Sequence, residues 1–283
     1  MAEVDTLFTI QWGDVITQLA QQTKQKVSQY VMQKPGVVGE RTTMEQIGSV
    51  ALEKRTTRHA PTPRADANHQ RRWVTLFDYE KALWFDTQDE LKALLDPRNA
   101  YNQAFIAGMN RAMDDEVIAA ALATAYYGKA GTSTQALTLS IASGGLGLTL
   151  DKMRTINQNF RDGDVDLEAE QAYLAISPKE HNDLLKMTEV ISTDYNDRPT
   201  LVDGVVKRFM GLNIIVTTRL SDASGTKSCI AWVPSGIGLA IAQAPKLRAS
   251  ELPDYSYAWQ GYASISIGAT RLEETKVQEV LCA

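Results

Sequence analysis

The chain has 283 residues, 44% hydrophobic and 22% charged, and a net charge of -5, the composition of an ordinary globular protein with one large domain or two smaller ones. Two distant cysteines, Cys229 and Cys282, make no disulfide framework and no CxxC pair, which points to a reducing compartment. No run of 18 apolar residues is present to span a membrane, and the opening MAEVDTLFTIQWGDV carries acids where a secretory signal needs a basic region.

Charge is unevenly spread. Residues 54–73, KRTTRHAPTPRADANHQRRW, hold six of the 29 Lys and Arg and a single acid, Asp66. The remainder carries 23 Lys and Arg against 33 Asp and Glu, a balance of -10. A body that acidic should repel nucleic acid, whose affinity rests on released counterions.

In chain order, Trp12, Val15, Ile16, Leu19, Val27, Tyr30 and Val31 have the spacing of one helix face, predicting a helix over 11–33 that ends at Pro35-Gly36. It either packs on its own body or docks on a neighbouring subunit. Period-two patterns predict strands at Ser49 to Arg58 and Arg71 to Tyr79, joined by turn formers in APTPRADANH. A hairpin with so little core must lie on something outside itself. Thr87 with Glu90 forms a capping box, and Asp96-Pro97 starts a long helix predicted to run from Arg98 to Tyr127. The triplet Asp114-Asp115-Glu116 in that helix is expected on a solvated face. A helix from Thr149 to Phe160 and an acidic turn, RDGDVDLEAE, precede an α/β set. This set comprises a strand at 171–176, a capped helix opening SPKE at 177–180, and strands at 212–218, 229–233, 238–243 and 264–269.

No catalytic, metal or cofactor pattern survives inspection. GGLGLTL has Gly145 and Gly147 but Leu150 in place of the third glycine of GxGxxG, and Gly128-Lys129 sits in no P-loop because Ala123 and Ala130 replace the required residues. Asp162, Asp164 and Asp166 alternate as in a calcium loop, but Leu167 and Tyr173 stand where Gly and Glu are needed. His59, His69 and His181 have no ligand spacing, and there is no GxSxG. The reading is a non-enzyme that works through its surfaces.

The ordered set of arm, basic hairpin, DPRNAYNQAFIAGMNRAMDDEVIAAAL, YLAISPKEHNDLL and GYASISIGATRLEETKVQEV resembles the major capsid protein of tailed bacteriophages, the Hong Kong 97 family. The resemblance spans nearly the whole chain. It implies an α+β fold with an N-arm (1–35), an extended E-loop hairpin (36–80) and a P-domain (81–150, spine helix about 97–127). A mainly A-domain region (151–255) and a C-terminal strand returning to the P-domain (256–283) complete it. It further implies pentamers and hexamers tiling an icosahedral shell around double-stranded DNA, without sequence-specific binding. The shell would be assembled in the bacterial host cytoplasm with scaffolding, portal and possibly decoration proteins. With only about 35 residues before the hairpin, a separate scaffolding protein or a missing segment is expected. In this family some hairpin lysines cross-link to a neighbour's asparagine; Lys54 is the hairpin's only lysine and no motif supports a cross-link. An encapsulin-type nanocompartment, of the same fold and size, and a nucleic-acid-binding protein using 54–73 remain alternatives at this point.

Complementary potentials select partner and register. The hairpin residues Arg55, Arg58, Arg64, Arg71, Arg72 and Trp73 are therefore expected to contact a neighbouring copy, with Asp114, Asp115 and Glu116 as the first acidic partners.

Overall fold

The computed structural model describes residues 20–59, 62, 64, 66, 68–85, 98–187, 206–223 and 225–283. The Thr87–Glu90 capping box, the Asp96-Pro97 start and residues 11–19 of the expected first helix lie outside them.

From Ala20 the chain runs without α-helix to a short 3-10 turn at Ser28–Tyr30 and then strand β1 (Met32–Pro35). The apolar residues of the expected helix do find a core, with Val27 and Val31 buried, but in irregular backbone. Tertiary pairing overrides the helical spacing here: Met32 to Pro35 pair in parallel with Gly238 to Ile241, and the Tyr30 carbonyl accepts the Trp232 indole N–H at 2.9 Å.

Strand β2 (Arg41–Ile47) pairs along seven residues with β3 (His69–Thr75), and β4 (Phe77–Phe85) follows. The first hairpin strand is thus 41–47, and the expected strand at 49–58 is absent. The reason is burial. Met44 and Val74 pack with Val37, Ala240 and Leu272, whereas every described residue from Ile47 to Gln70 is exposed. A ladder persists only where one face has a core to cover it.

Helix α1 (Arg98–Leu122) has 25 residues, about 37 Å at 1.5 Å per residue. It stops five residues before the predicted end because Ala125–Tyr127 forms strand β5, whose backbone is taken by β3 on one side and β6 (Ser133–Gln135) on the other. Strand β7 (Ser140–Ile141) and helix α2 (Leu150–Asp162) come next. The Thr149 hydroxyl accepts the Lys152 N–H and caps α2, whose face of Met153, Ile156 and Phe160 is fully buried. Strand β8 (Ala172–Ile176) leads into helix α3 (Pro178–Lys186) through the predicted capping box: Lys179 N–H donates to the Ser177 hydroxyl, and Ser177 N–H to Glu180. The chain continues through β9 (Arg208–Phe209), β10 (Leu212–Val216), β11 (Asp222–Ala223), β12 (Thr226–Trp232), β13 (Ile237–Leu252), β14 (Ala258–Arg271) and β15 (Val277–Cys282).

The strands form three sheets: β1-β13-β14-β4, β2-β3-β5-β6, and a seven-stranded sheet ordered β7-β15-β12-β8-β10-β9 with β11 on β12. In the last, β8 and β10 are parallel with α3 in the connection, as a parallel pair requires. The chain divides into two units. One comprises Met1–Gln25, Asp78–Ala112 and Gln243–Ser266; the other comprises Lys26–Phe77, Met113–Ala242 and Ile267–Ala283. Ile267 onward belongs to the larger unit, where β15 pairs with β12 over six residues.

Candidate assembly surface

The hairpin β2–β3 is a long excursion fastened at its foot. Its fastening is Arg72, opposite Met44 in the ladder and buried. Arg72 Nε donates to the Leu272 carbonyl at 2.9 Å, Nη2 donates to Glu274 Oε2 at 2.6 Å, and the guanidinium stands 5.4 Å from the Tyr127 ring centroid. A second buried arginine completes the joint. Arg271 Nη1 donates to the carbonyls of Ala121 and Ala123, and Nη2 to that of Gln135. Its Nε lies 3.5 Å from Glu274 Oε1. Burial lowers the Arg271 pKa against the opposing pull of Glu274, yet an arginine remains cationic. Two guanidinium groups thus share one carboxylate in the interior. Such a joint adds little net stability over apolar packing, but removing one member strands the others.

Next to Arg72, the Trp73 indole N–H donates to the Gly128 carbonyl at 2.7 Å. Its ring lies over Gly131, which has φ +68°, and a Cβ there would come within 2.9 Å of the indole. Only glycine satisfies both the left-handed backbone and the close approach.

The sequence-predicted contact residues separate into three groups. Arg55, Arg58 and Arg64 are exposed, with Arg55 Nε donating to the nearby Thr57 carbonyl at 3.0 Å. Arg71, at the edge of the foot, meets Glu45 at 2.6 Å. Arg72 and Trp73 are used inside the chain, and the assignment of Arg72 to a neighbour is corrected accordingly.

The acidic triplet needs the same correction. Asp114 is fully buried, not solvated. Its carboxylate accepts the backbone N–H groups of Lys26, Val27 and Ser28 at 2.8, 3.1 and 2.9 Å and the Ser28 hydroxyl at 2.8 Å. Successive N–H groups leading into a 3-10 turn form a concave anion site, and here a side chain from α1 fills it. Asp115 makes a two-point pair with Arg219, 2.7 Å at Nε, and that hydrogen bond raises the Arg219 pKa. Glu116 is half-buried on the same helix. Asp114 and Asp115 thus hold the segment Lys26–Ser28 and the β10–β11 connection to α1. Arg219, Arg271 and Glu274 escaped sequence reasoning because their decisive partners (Asp115, the carbonyls of Ala121, Ala123 and Gln135, and Arg72) lie more than a hundred residues away.

Chemistry at the remaining candidates is quiet. Among the described residues no group of His, Cys, Asp and Glu could hold a metal ion, and no helix is long and apolar enough to cross a membrane. Cys229 and Cys282 are both fully buried on β12 and β15. The hydrogen bond to Cys282, with burial, drives the Cys229 pKa far up, so it stays a thiol.

Residues 4–283 match the model of the family described as phage capsid protein. The fold is similar to the capsid of cyanophage P-SCSP1u, with a TM-score of 0.77 at 14% identity over 99% of this chain and 94% of that one. It is also similar to the capsid of cyanophage Pam1, at 0.72 and 10% identity over 100% and 99%. The capsid of a native GTA particle gives 0.71 and 12% over 100% and 97%. No curated protein matches the sequence. The fold is thus that of these phage capsid subunits, and the chain belongs to the phage capsid protein family, a structural protein of the virion rather than an enzyme.

Proposed function

We propose that this phage major capsid protein forms homo-pentamers and homo-hexamers that tile an icosahedral head shell around double-stranded DNA. The observation that carries the reading, beside the family match over residues 4–283, is the excursion from Ile47 to Gln70, of which every described residue is exposed. Ile47, Val50 and Leu52 are 69%, 59% and 96% exposed, an arrangement with no use in an isolated subunit. A neighbouring copy that receives this excursion makes a heterologous contact, which closes into rings when the rotation allows.

In this reading residues 1–35 are the N-arm, the hairpin is the E-loop, and Arg55, Arg58, Arg64 and Arg71 meet acids of the next subunit. Asp115 is held by Arg219, and Glu116 contributes only where its half-buried edge faces that subunit. Exposed pairs contribute about 0–1 kcal/mol each, so their effect rests on repetition over a closed shell. The balance of -10 outside the basic stretch suits a wall that encloses DNA without gripping it. Scaffolding and portal proteins are the expected further partners.

Electron microscopy and sedimentation of the purified chain test the proposal. Megadalton shells with five-fold and six-fold clusters are expected; a chain that stays monomeric under all assembly conditions contradicts it. Reversing Arg55, Arg58 and Arg64 to Glu should block shells while leaving the subunit folded.

A further inference from the structure

Two surfaces of the larger unit carry charge that the described residues leave unbalanced. The first is a cavity of about 420 Å³ at the foot of the hairpin, lined by Glu45, His69, Gln70, Arg71, Gly128 and Lys129. Glu45 is occupied by Arg71 at 2.6 Å. Lys129 is exposed and makes no ion pair among the described residues, and His69 is exposed beside it in the lining. The cavity is therefore net cationic, sized for one or two carboxylate side chains, and supported by the ladder of β3 with β5 that ends at Arg72 and Tyr127. It is a formed recess, whereas the arginines farther along the hairpin stand on exposed chain.

The second surface is the turn that closes α2. Asp162, Asp164, Asp166 and Glu168 are all exposed and make no ion pair among the described residues, and no Lys or Arg occurs between Arg161 and Lys179. Its backbone is held in place. Val165 is buried and its N–H donates to the Phe160 carbonyl at 3.0 Å, while Asp166 Oδ1 accepts the N–H groups of Glu168 and Ala169, each at 3.0 Å. Asp164 adopts φ 54° to make the turn. Ordered carboxylates lose less freedom on docking than those on a frayed loop.

We infer that the cationic recess at the hairpin foot receives the acidic turn Asp162–Glu168 of a second copy. This rests on the shell reading and names the acceptor that Asp114 and Asp115 cannot be, since their carboxylates are used within the chain. Recess and turn are different patches of one subunit, so the contact is head-to-tail and repeats around a ring. Burying it sets register and partner through complementary potentials more than it adds affinity.

Charge exchange tests the contact. Lys129→Glu and Asp166→Lys should each lower shell yield several-fold in sedimentation, and the double variant should recover it, with Lys129→Gln between. Folding of each variant is checked by its unfolding midpoint. In assembled wild-type particles mixed from light and heavy-isotope subunits, a carbodiimide should join Lys129 of one copy to the 162–168 peptide of another. Normal yield from either single reversal, failure of the double variant to recover, or no such intermolecular cross-link in intact shells overturns the inference and leaves the shell reading standing. Absence of shells from the wild type overturns both.

Discussion

The hairpin and the seven-stranded sheet spend their apolar residues in opposite ways. Along β12 every residue from Ser228 to Trp232 is buried, and the strand is paired on both sides, by β15 and β8. From Ile47 to Gln70 no described residue is buried, although the segment contains Ile47, Val50 and Leu52. Burial of apolar area stabilises at about 25 cal/mol per Å², and the sheet collects it within one chain. The hairpin leaves it uncollected until another surface arrives. The joint between the two kinds of structure is the foot, where Arg72, Arg271 and Glu274 lock β3 to the ends of α1 and β14.

That contrast breaks most severely at the joint. Arg271→Ala leaves Glu274 facing one arginine and strips the carbonyls of Ala121, Ala123 and Gln135 of their donor. It should cost roughly 3–5 kcal/mol in denaturant unfolding of the subunit; an unchanged midpoint would show that the joint is ornamental. Asp114→Ala, which unpartners three backbone N–H groups, should cost about 2–3 kcal/mol by the same measurement. Ser177→Ala removes the cap of α3 and should cost about 1 kcal/mol. At the other extreme, Val50→Ser and Leu52→Ser together should shift subunit stability by no more than about 0.5 kcal/mol, as surface substitutions do. The same pair should reduce shell yield, and a large loss of subunit stability would place these side chains in an internal core instead.

Local chemistry was legible from residues alone. The SPKE start of α3 and the α2 helix after Thr149 follow from caps, and the strands expected from apolar runs at 171–176, 212–218 and 229–233 stand in the structure as Ala172–Ile176, Leu212–Val216 and Thr226–Trp232. The ordered set of elements was enough to identify the capsid fold. What failed was anything decided at a distance. Val27, Tyr30 and Val31 have helical spacing but serve a segment drawn into parallel pairing with β13 and a ring stack of Tyr30 on Tyr173, 4.4 Å between centroids. Asp114 looked like a member of a solvated charge run because its partners lie 86 to 88 residues away. The hairpin's existence was readable from composition, but its register was not. The core that fixes Met44 and Val74 comes from Val37, Ala240 and Leu272.

The central claim is that the described residues between 49 and 66, beyond the β2–β3 ladder, are left uncovered within the subunit and acquire a covering surface in the shell. Amide hydrogen exchange on unassembled subunits and on assembled particles measures this directly. The account predicts exchange near the unprotected limit across 49–66 in the subunit, slow exchange in β12 in both states, and strong new protection of the 49–66 excursion in the particle. Equal exchange of 49–66 in subunit and particle would contradict it.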